Sequence, residues 1–411
     1  MTIPLKQFSI KPYKLYNTIQ NYEWGTMNES AFIPRFIGAE VEPNIPYAEL
    51  WIGAHPKAPS KIEIGGVKVP LNKIIEDYPI ECLGEYVRAK FSGTFPFLLK
   101  VLSAARALSI QTHPNKMQAQ RLHAKDPKNY PDDNHKPEIA IALDSLMAFV
   151  GFQPIHSIRK HLESLPELNM LVGQGLIDEI IKSDDPVILE KLIIQLYEMI
   201  LRCAEEKEHL AACIANIHKR LTEKVFRSPE EEQFLVQHKL YGADVGLLSF
   251  FFFNLLQLEQ GQAIFTGAGV PHVYIKGNII ECMANSDNVV RAGLTNKFKD
   301  VEALLHIIRY EFAGCPVLNP GTGDCTYRTA AEEFEMTKNK NLGGLRIKCF
   351  SSDRPIMYLI IQGSLEVHWN GDESARTLKF SRGDSFFVPA ALSQYEITSN
   401  DDVEYFVVAV P

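Results

Sequence analysis

Two side chains that could bind a metal, Gln111 and His113, are separated by a single residue in the segment 108–114, which reads LSIQTHP. In a β-strand, alternate side chains point to the same face. A strand in this segment would therefore direct Gln111 and His113 into a cavity, while its apolar residues face a core. The spacing predicts part of a metal-binding site, provided that further ligands converge on the same cavity.

Two later segments supply such ligands. Residues 136–143 alternate as a strand does and carry Glu138, and residues 259–274 join a short strand to a glycine-rich turn that ends at His272. Two imidazoles, a carboxylate and an amide oxygen are suitable ligands for a divalent metal. An incompletely closed set of this kind fits catalytic zinc, whereas two histidines with one carboxylate also fit non-haem iron or manganese.

The composition restricts the class of protein. The chain has 411 residues, of which 46% are hydrophobic and 22% charged, so we expect an ordinary globular protein with more than one packed unit. The formal net charge of -8, without a long run of Lys or Arg, argues against nucleic acid or an anionic membrane as a main partner.

The cysteines and the first residues bear on the compartment. Seven widely spaced cysteines without a CxxC pair indicate reduced thiols rather than a disulfide framework. The first residues lack the pattern of a signal peptide, and the most apolar stretch, 247–258, is shorter than the ~20 residues that span a bilayer. We therefore expect a cytoplasmic protein.

The composition and the spacing of apolar residues change twice along the chain. Residues 1–154 are rich in proline, glycine and short apolar runs, which indicates many short strands. Residues 155–256 carry apolar side chains at helical spacing, most clearly over 188–201, and short strands with turn residues return from 257. This order predicts a mainly β fold of jelly-roll barrels with an α-helical insert.

A faint internal repeat indicates that the barrel occurs twice. Gly261 begins a turn and a strand eleven positions before His272, and Gly383 does so eleven positions before Gln394. The second copy has glutamine in place of histidine and no nearby ligands. We therefore expect a discontinuous metal-binding barrel over 1–154 and 257–320, a helical insert over 155–256, and a C-terminal barrel without metal over 321–411.

Several motifs occur in the order in which a known family has them. The chain resembles the type I mannose-6-phosphate isomerases at residues 47–56 (YAELWIGAHP), 109–114 (SIQTHP), 134–138 (NHKPE) and 277–295 (GNIIECMANSDNVVRAGLT), and the similarity extends over most of its length, from residues 21–25 (NYEWG) onward. One departure is Asn296, where the family pattern has proline.

The resemblance implies a fold, a cofactor and a reaction. It implies cupin-type β-barrels with an inserted helical domain, and one zinc ion per chain with Gln111, His113, Glu138 and His272 as ligands. It also implies interconversion of mannose 6-phosphate and fructose 6-phosphate, which would serve GDP-mannose synthesis or mannose use. We expect a sugar phosphate as the partner, and a monomer.

This reaction requires an anchor for the phosphate. Arg291 and Lys297 are six positions apart in a loop-like segment, and a guanidinium fork with an ammonium charge suits a dianionic phosphate. Lys100 and Ser109 are auxiliary phosphate contacts by the same resemblance. Arg291 could instead stabilise the enediolate, and the sequence leaves both roles open.

The reaction also requires a group that moves a proton between C1 and C2 through a cis-enediol(ate). Glu281, Lys136, Asp287 and Tyr274 are the candidates. A carboxylate with a raised pKa could shuttle the proton, and a lysine could do so if burial and a metal lowered its pKa. We favour Glu281, followed by Lys136.

Two other functions are compatible with the same residues. An iron-dependent cupin oxygenase would use His113, Glu138 and His272 as its facial triad. A non-catalytic cupin that binds sugar phosphates would need the basic residues but no turnover. The additional ligand Gln111 and the two basic anchors favour the isomerase over the oxygenase.

Overall fold

The computed structural model describes residues 8–321, 323–370 and 375–411. Its first part combines strands with helices up to a long strand that ends at Phe152. These elements are β1 (Tyr13–Lys14), β2 (Thr18–Gln20), α1 (Phe32–Ile37), β3 (Glu49–Gly53), β4 (Lys61–Ile64), β5 (Val67–Pro70), α2 (Leu71–Asp77), α3 (Pro79–Lys90), β6 (Phe97–Ala104), β7 (Ile110–Thr112), α4 (Lys116–Lys125) and β8 (Glu138–Phe152).

A block of helices follows β8. Two of its helices begin with capping side chains, since Asp185 accepts hydrogen bonds from the first amides of one helix and Ser228 forms a capping box with Glu231 in another. The helix predicted over 188–201 is confirmed. The helices are α5 (Ile155–Glu163), α6 (Asn169–Val172), α7 (Gln174–Lys182), α8 (Pro186–Arg202), α9 (Lys207–Glu223), α10 (Pro229–Tyr241) and α11 (Gly246–Ser249).

The chain then returns to the sheet that it left. The new elements are β9 (Phe253–Glu259), β10 (Ala263–Thr266), β11 (His272–Ala284), β12 (Val290–Gly293) and α12 (Val301–Ile307). The order of neighbouring strands in this sheet is β10-β8-β11-β6-β3-β2, with β9 paired to β8, and with β7 paired to both β11 and β12. Strands from both sides of the helical block therefore lie side by side.

The last part of the chain is a β-sandwich. Its strands are β13 (Cys325–Tyr327), β14 (Glu335–Asn341), β15 (Leu345–Phe350), β16 (Ile356–Gln362), β17 (Ser364–Asn370), β18 (Ala375–Ser381), β19 (Ser385–Val388), β20 (Gln394–Ser399) and β21 (Val403–Ala409). The strand orders of its two sheets are β1-β19-β16-β21-β14-β13 and β15-β20-β17-β18, and a core that includes Tyr358, Trp369 and Phe386 lies between the sheets.

The two members of the internal repeat have the same local structure. Gly261 and Gly383 each adopt a positive φ of 84° before a four-residue strand, β10 or β19. His272 then begins β11, as Gln394 begins β20. The predicted class, a mainly β fold with an α-helical insert, is confirmed. Among the described residues, no helix is both long and apolar enough to cross a membrane.

Candidate metal centre

His113, Glu138 and His272 converge at one end of the first sheet. Glu138 begins β8, His272 begins β11, and His113 directly follows β7. The Oε2 atom of Glu138 lies 3.3 Å from Nε2 of His113 and 3.2 Å from Nε2 of His272. All three side chains are almost completely buried, so the cluster is held by the core of the protein.

Backbone carbonyls fix the orientation of both imidazoles. Nδ1 of His113 is 2.8 Å from the carbonyl oxygen of Asn288, and Nδ1 of His272 is 3.0 Å from that of Val270. Because a carbonyl can only accept a hydrogen bond, each Nδ1 carries the proton and donates. Each Nε2 therefore directs a lone pair towards Glu138, an arrangement that is typical of metal-binding histidines.

The residues fit a bound cation. Within the described chain, Nε2 of His113, Nε2 of His272 and Oε2 of Glu138 are buried without a hydrogen-bond partner. Leaving three acceptor atoms buried and unpaired is unfavourable, and a divalent metal between them would satisfy all three. Their ligand atoms lie within 4.8 Å of one another, as a shared ion requires.

The protonation states also suit a metal. Burial lowers the pKa of His113 to about 4, although the charge of Glu138 opposes this shift. Burial would raise the pKa of Glu138, but the adjacent positive charge of Lys136 contributes most to holding it well below its usual value. At neutral pH the imidazole of His113 is therefore neutral and the carboxylate of Glu138 ionised, and these are the forms that bind metals.

Gln111 lies beside this group. In the antiparallel pairing it is opposite His272 of β11 on one side and opposite Arg291 of β12 on the other. Directly opposed residues in antiparallel strands project to the same face. The side chains of Gln111, His272 and Arg291 therefore share one face of the sheet.

Arg291 brings positive charge to this face, and Lys297 follows in the loop after β12. In the described part of the chain, neither forms an ion pair with a carboxylate, and the Arg291 guanidinium donates one long hydrogen bond, of 3.5 Å, to the carbonyl of Val289. Burial lowers the pKa of both groups, and the charge of Arg291 further lowers the pKa of Lys297. Unpaired, partly buried cations of this kind favour binding of an anion.

Lys136 contacts the metal-binding cluster directly. Its Nζ atom is 2.8 Å from Oε1 of Glu138, which is the carboxylate oxygen that does not face the histidines. Both side chains are buried. Lys136 therefore partly balances the charge of Glu138 and lies next to the position that a metal would occupy.

A buried charge network lies on the neighbouring strands. The ammonium of Lys100 is 2.9 Å from Oε2 of Glu281 and 3.6 Å from Oε2 of Glu49, and the indole of Trp51 donates a hydrogen bond of 2.5 Å to Glu49. Burial lowers the pKa of Lys100, but the two carboxylates outweigh it and raise the pKa overall. Burial raises the pKa of Glu281, and it raises that of Tyr274 well above its usual value, with the charge of Glu281 adding to the effect.

The other predicted site residues lie near this end of the sheet. Oδ2 of Asp287 is 2.9 Å from Nζ of Lys57 and 3.5 Å from Nε2 of His55, so its charge is already paired. Ser109 directly precedes β7 and is half-buried. Of the predicted proton-transfer residues, Lys136 forms an ion pair with Glu138, and the ring of Tyr274 lies 6.0 Å, centroid to centroid, from that of His272.

Comparison with known proteins identifies the family. Residues 13–155 match the model of the phosphomannose isomerase type I catalytic domain. The chain is 36% identical to mannose-6-phosphate isomerase 2 of Arabidopsis thaliana, over 94% of this chain and 90% of that protein. It is 35% identical to mannose-6-phosphate isomerase of Candida albicans, over 95% of this chain and 96% of that protein. The chain belongs to the type I phosphomannose isomerase family.

Solved structures of phosphomannose isomerases have the same fold. A single-residue variant from Salmonella typhimurium aligns with a TM-score of 0.83 and 28% identity, over 97% of this chain and 99% of that one. A mannose 6-phosphate isomerase bound with zinc and yttrium aligns with a TM-score of 0.82, also at 28% identity and over 97% of this chain and 99% of that one.

Several residues that shape the site were not assigned a role from the sequence. Asp132 accepts hydrogen bonds from the Ser286 hydroxyl, the Asp287 amide and the Asn288 side chain, and so fixes the turn whose Asn288 carbonyl orients His113. A carbonyl contact leaves no residue-type signal in a single sequence. Glu49 did leave a signal in the sequence, because it is a charged residue in an otherwise apolar strand.

Proposed function

We propose that the protein is a zinc-dependent aldose-ketose isomerase that interconverts mannose 6-phosphate and fructose 6-phosphate. The observation that carries the proposal is the group of unpartnered ligand atoms on His113, Glu138 and His272, on the same sheet face as Arg291, which has no carboxylate partner among the described residues. The names of the relatives support the reaction, and the zinc-bound family structure supports the metal.

The metal-binding residues set the position of the reacting carbons. Gln111, His113, Glu138 and His272 would hold one zinc ion per chain. When bound, zinc would act as a Lewis acid that polarises the sugar oxygen at C1 or C2. The surrounding core excludes water from this end of the sheet and so strengthens electrostatic interactions there.

The cationic residues would anchor the phosphate. Arg291 offers a planar fork of donors and Lys297 a second positive charge, and together they suit a dianion. Ser109 precedes the strand that carries Gln111, and its hydroxyl could add a hydrogen bond. Lys100 is paired with Glu281 and Glu49, so we propose that it neutralises these carboxylates and contacts phosphate only if that pairing breaks.

Two buried residues, Glu281 and Lys136, are suited to moving the proton. Glu281 has a raised pKa, which makes its carboxylate a stronger base than an exposed one, and Tyr274 lies beside it. Lys136 is closer to the metal-binding side chains but is bonded to Glu138. We favour Glu281 as the base, and Asp287 is the weakest candidate because Lys57 and His55 already pair its charge.

Substituting each candidate separately distinguishes them. Whichever residue is the base, its removal by Glu281→Gln or by Lys136→Met should lower kcat roughly 10²-fold. A carboxylate base with a raised pKa is active only when ionised, so kcat should fall as the pH decreases through that pKa. If Glu281 is the base, this acidic limb disappears in Glu281→Gln and persists in Lys136→Met. Zinc content is measured on the same samples at each pH, because Lys136 contacts the metal-binding residue Glu138 and its removal could release zinc. An acidic limb of the kcat profile that is unchanged in Glu281→Gln would contradict the choice of Glu281 as the base.

The test of the function itself is a coupled assay that follows fructose 6-phosphate formed from mannose 6-phosphate. Chelation is expected to inactivate the protein, and added zinc to restore it, because the unpaired ligand atoms need a cation. Activity that survives complete removal of metal would contradict the proposal. Oxygen uptake by iron-loaded protein would indicate an oxygenase instead, and tight binding of mannose 6-phosphate without turnover would indicate a non-catalytic protein.

The cellular setting and the division into domains are further proposals. We propose a cytoplasmic monomer whose product serves GDP-mannose synthesis or mannose use. We also propose a metal-binding unit over 1–154 and 257–320, a helical insert over 155–256 and a C-terminal unit without metal over 321–411. The pairing of β8 with β9, β10 and β11 supports the discontinuous unit, although β9 already begins at Phe253 and β1 adds to the C-terminal sheet.

A further inference from the structure

One carboxylate of the helical insert contacts the segment that carries both cationic anchors. Asp244 lies in the corner between α10 and α11, and its side chain is 10% exposed. Its Oδ1 atom accepts hydrogen bonds from the amide of Leu294, at 2.7 Å, and from the amide of Gly246, at 2.8 Å. Its Oδ2 atom is 3.2 Å from Nζ of Lys299. Asp244 thus binds residues 291–299, the anion segment, at two points.

The backbone at the first of these points is unusual. Leu294 has a φ of 54°, in the left-handed region that residues with a side chain rarely adopt. Its side chain is nevertheless buried. The hydrogen bond from the Leu294 amide to Asp244 is therefore a local interaction that offsets this strain and fixes the turn between Arg291 and Lys297.

The backbones of the anion segment and of the corner between α10 and α11 also lie in close contact. A Cβ atom added to Gly293 would lie 2.5 Å from Cα of Gly246 and 2.6 Å from Oδ1 of Asp244, so a side chain at this position would push the segments apart. In the same corner, the hydroxyl of Tyr241 donates to the carbonyl of Ala107 at 2.6 Å, shortly before β7. The corner of the insert thus supports both segments that carry predicted site residues.

The core beneath these contacts is continuous. Leu247 and Leu248 of α11 belong to the same buried apolar cluster as Val290, Ala292 and Leu294. The side chains that alternate with Arg291 on β12 therefore pack against the insert, while Arg291 projects from the opposite face. This arrangement couples the position of the insert to the direction of the guanidinium.

From these contacts we propose that Asp244 is a positioning residue, and that the helical insert serves as the support that holds Arg291 and Lys297 in an anion-binding arrangement. The inference rests on the proposed function to the extent that the anion is taken to be the phosphate of the sugar substrate. Asp244 does not touch the substrate itself. It acts through the amide of Leu294, which lies between the two cations in the chain.

Three substitutions test which contact matters. Asp244→Ala removes every contact and is expected to raise both the KM for mannose 6-phosphate and the inhibition constant of inorganic phosphate roughly ten- to hundred-fold. The rise in KM should exceed any fall in kcat. Asp244→Asn keeps an oxygen that can accept from Leu294 and Gly246, and Lys299→Met removes only the ion pair, so both should stay within about threefold of wild type. Equal damage by Asp244→Asn and Asp244→Ala would overturn the role assigned to the Leu294 hydrogen bond.

The control is an aspartate that makes similar bonds elsewhere in the insert. Oδ1 of Asp185 accepts from the amides of Val187 and Ile188 at the start of α8. Asp185→Ala should lower Tm but leave KM and phosphate inhibition unchanged. If it raised KM as much as Asp244→Ala, general destabilisation would explain the effect and the proposal would fail. Should Asp244→Ala not fold, Gly293→Ala displaces the anion segment with the carboxylate intact, and it is expected to raise KM similarly; an unchanged KM would overturn the proposal.

A direct binding measurement separates this inference from the proposed function. Calorimetric titration of inorganic phosphate into wild type and Asp244→Ala needs no turnover. Weaker binding to Asp244→Ala, with its zinc content unchanged, would support the positioning role even if wild type did not isomerise mannose 6-phosphate. Equal binding to the two proteins would overturn the positioning role even if wild type proved to be the expected isomerase.

Discussion

Replacing His272 with alanine is expected to remove zinc from the protein and to lower turnover of mannose 6-phosphate by more than about 10³-fold. The substitution removes one of three buried ligand atoms and leaves Glu138 with a single imidazole. The cluster is rigid, because His272 begins β11 and its Nδ1 is bonded to the carbonyl of Val270. A neighbouring side chain is therefore poorly placed to substitute for the lost nitrogen.

The measurement is zinc per chain by elemental analysis, with kcat/KM determined on the same preparation. His368→Ala is the control, since His368 bonds to Thr377 and Thr398 in the C-terminal sheet and should keep both zinc and activity. Added zinc is expected to restore activity to chelated wild type but not to His272→Ala. A His272→Ala protein with normal zinc content and activity would show that the cluster is not the catalytic metal site.

The elements around the metal centre were the most predictable part of the fold. Alternation of apolar and polar residues predicted the strands at Gln111 and Glu138, and the apolar spacing over 188–201 predicted α8. The reason is physical: a strand or helix that is buried on one face must repeat its apolar residues with its own period. The family motifs then indicated which of the polar residues on these strands form the metal site.

Other features depended on contacts that a single sequence does not encode locally. The composition of the first part indicated strands, yet α2, α3 and α4 lie there. In the structure, Asn115 and Gln118 form a capping box at the start of α4, whereas α2 begins without a capping side chain. The pairing of Lys100 with Glu281 joins residues 181 positions apart, so only the sheet register brings them together.

The charge network on these strands explains how the site tolerates several buried ionised groups. Lys100 lies between Glu281 and Glu49, and Lys136 contacts Glu138, so each buried ammonium has at least one carboxylate partner. Removing one member of such a pair leaves the other uncompensated, which is strongly destabilising. Arg291 differs from both lysines because it has no carboxylate partner among the described residues. Its binding partner is therefore expected to be an anion from solution.

Arg291→Ala is accordingly expected to lower kcat/KM for mannose 6-phosphate about 10³-fold while leaving zinc bound, because two hydrogen bonds to a charged group contribute roughly 3–6 kcal/mol together. Zinc should remain because Arg291 projects from β12 and contacts none of the three clustered ligand atoms. Arg291→Lys retains the charge but loses the fork, so an intermediate loss is expected. Arg346→Ala is the control, since Arg346 is an exposed arginine paired with Glu396 in the C-terminal sheet.

The kinetic pattern decides between the two roles of Arg291. If the guanidinium binds phosphate, both the KM and the inhibition constant of inorganic phosphate rise in Arg291→Ala. If it stabilises the enediolate, kcat falls while phosphate inhibits the variant as it inhibits wild type. Loss of zinc in Arg291→Ala would mean that the side chain is structural, and unchanged kinetics would remove it from the site altogether. The first pattern is the expected one, because Lys297, whose pKa the charge of Arg291 lowers, adds a second cation without a carboxylate partner among the described residues, and two cations suit a dianion better than the single charge of an enediolate.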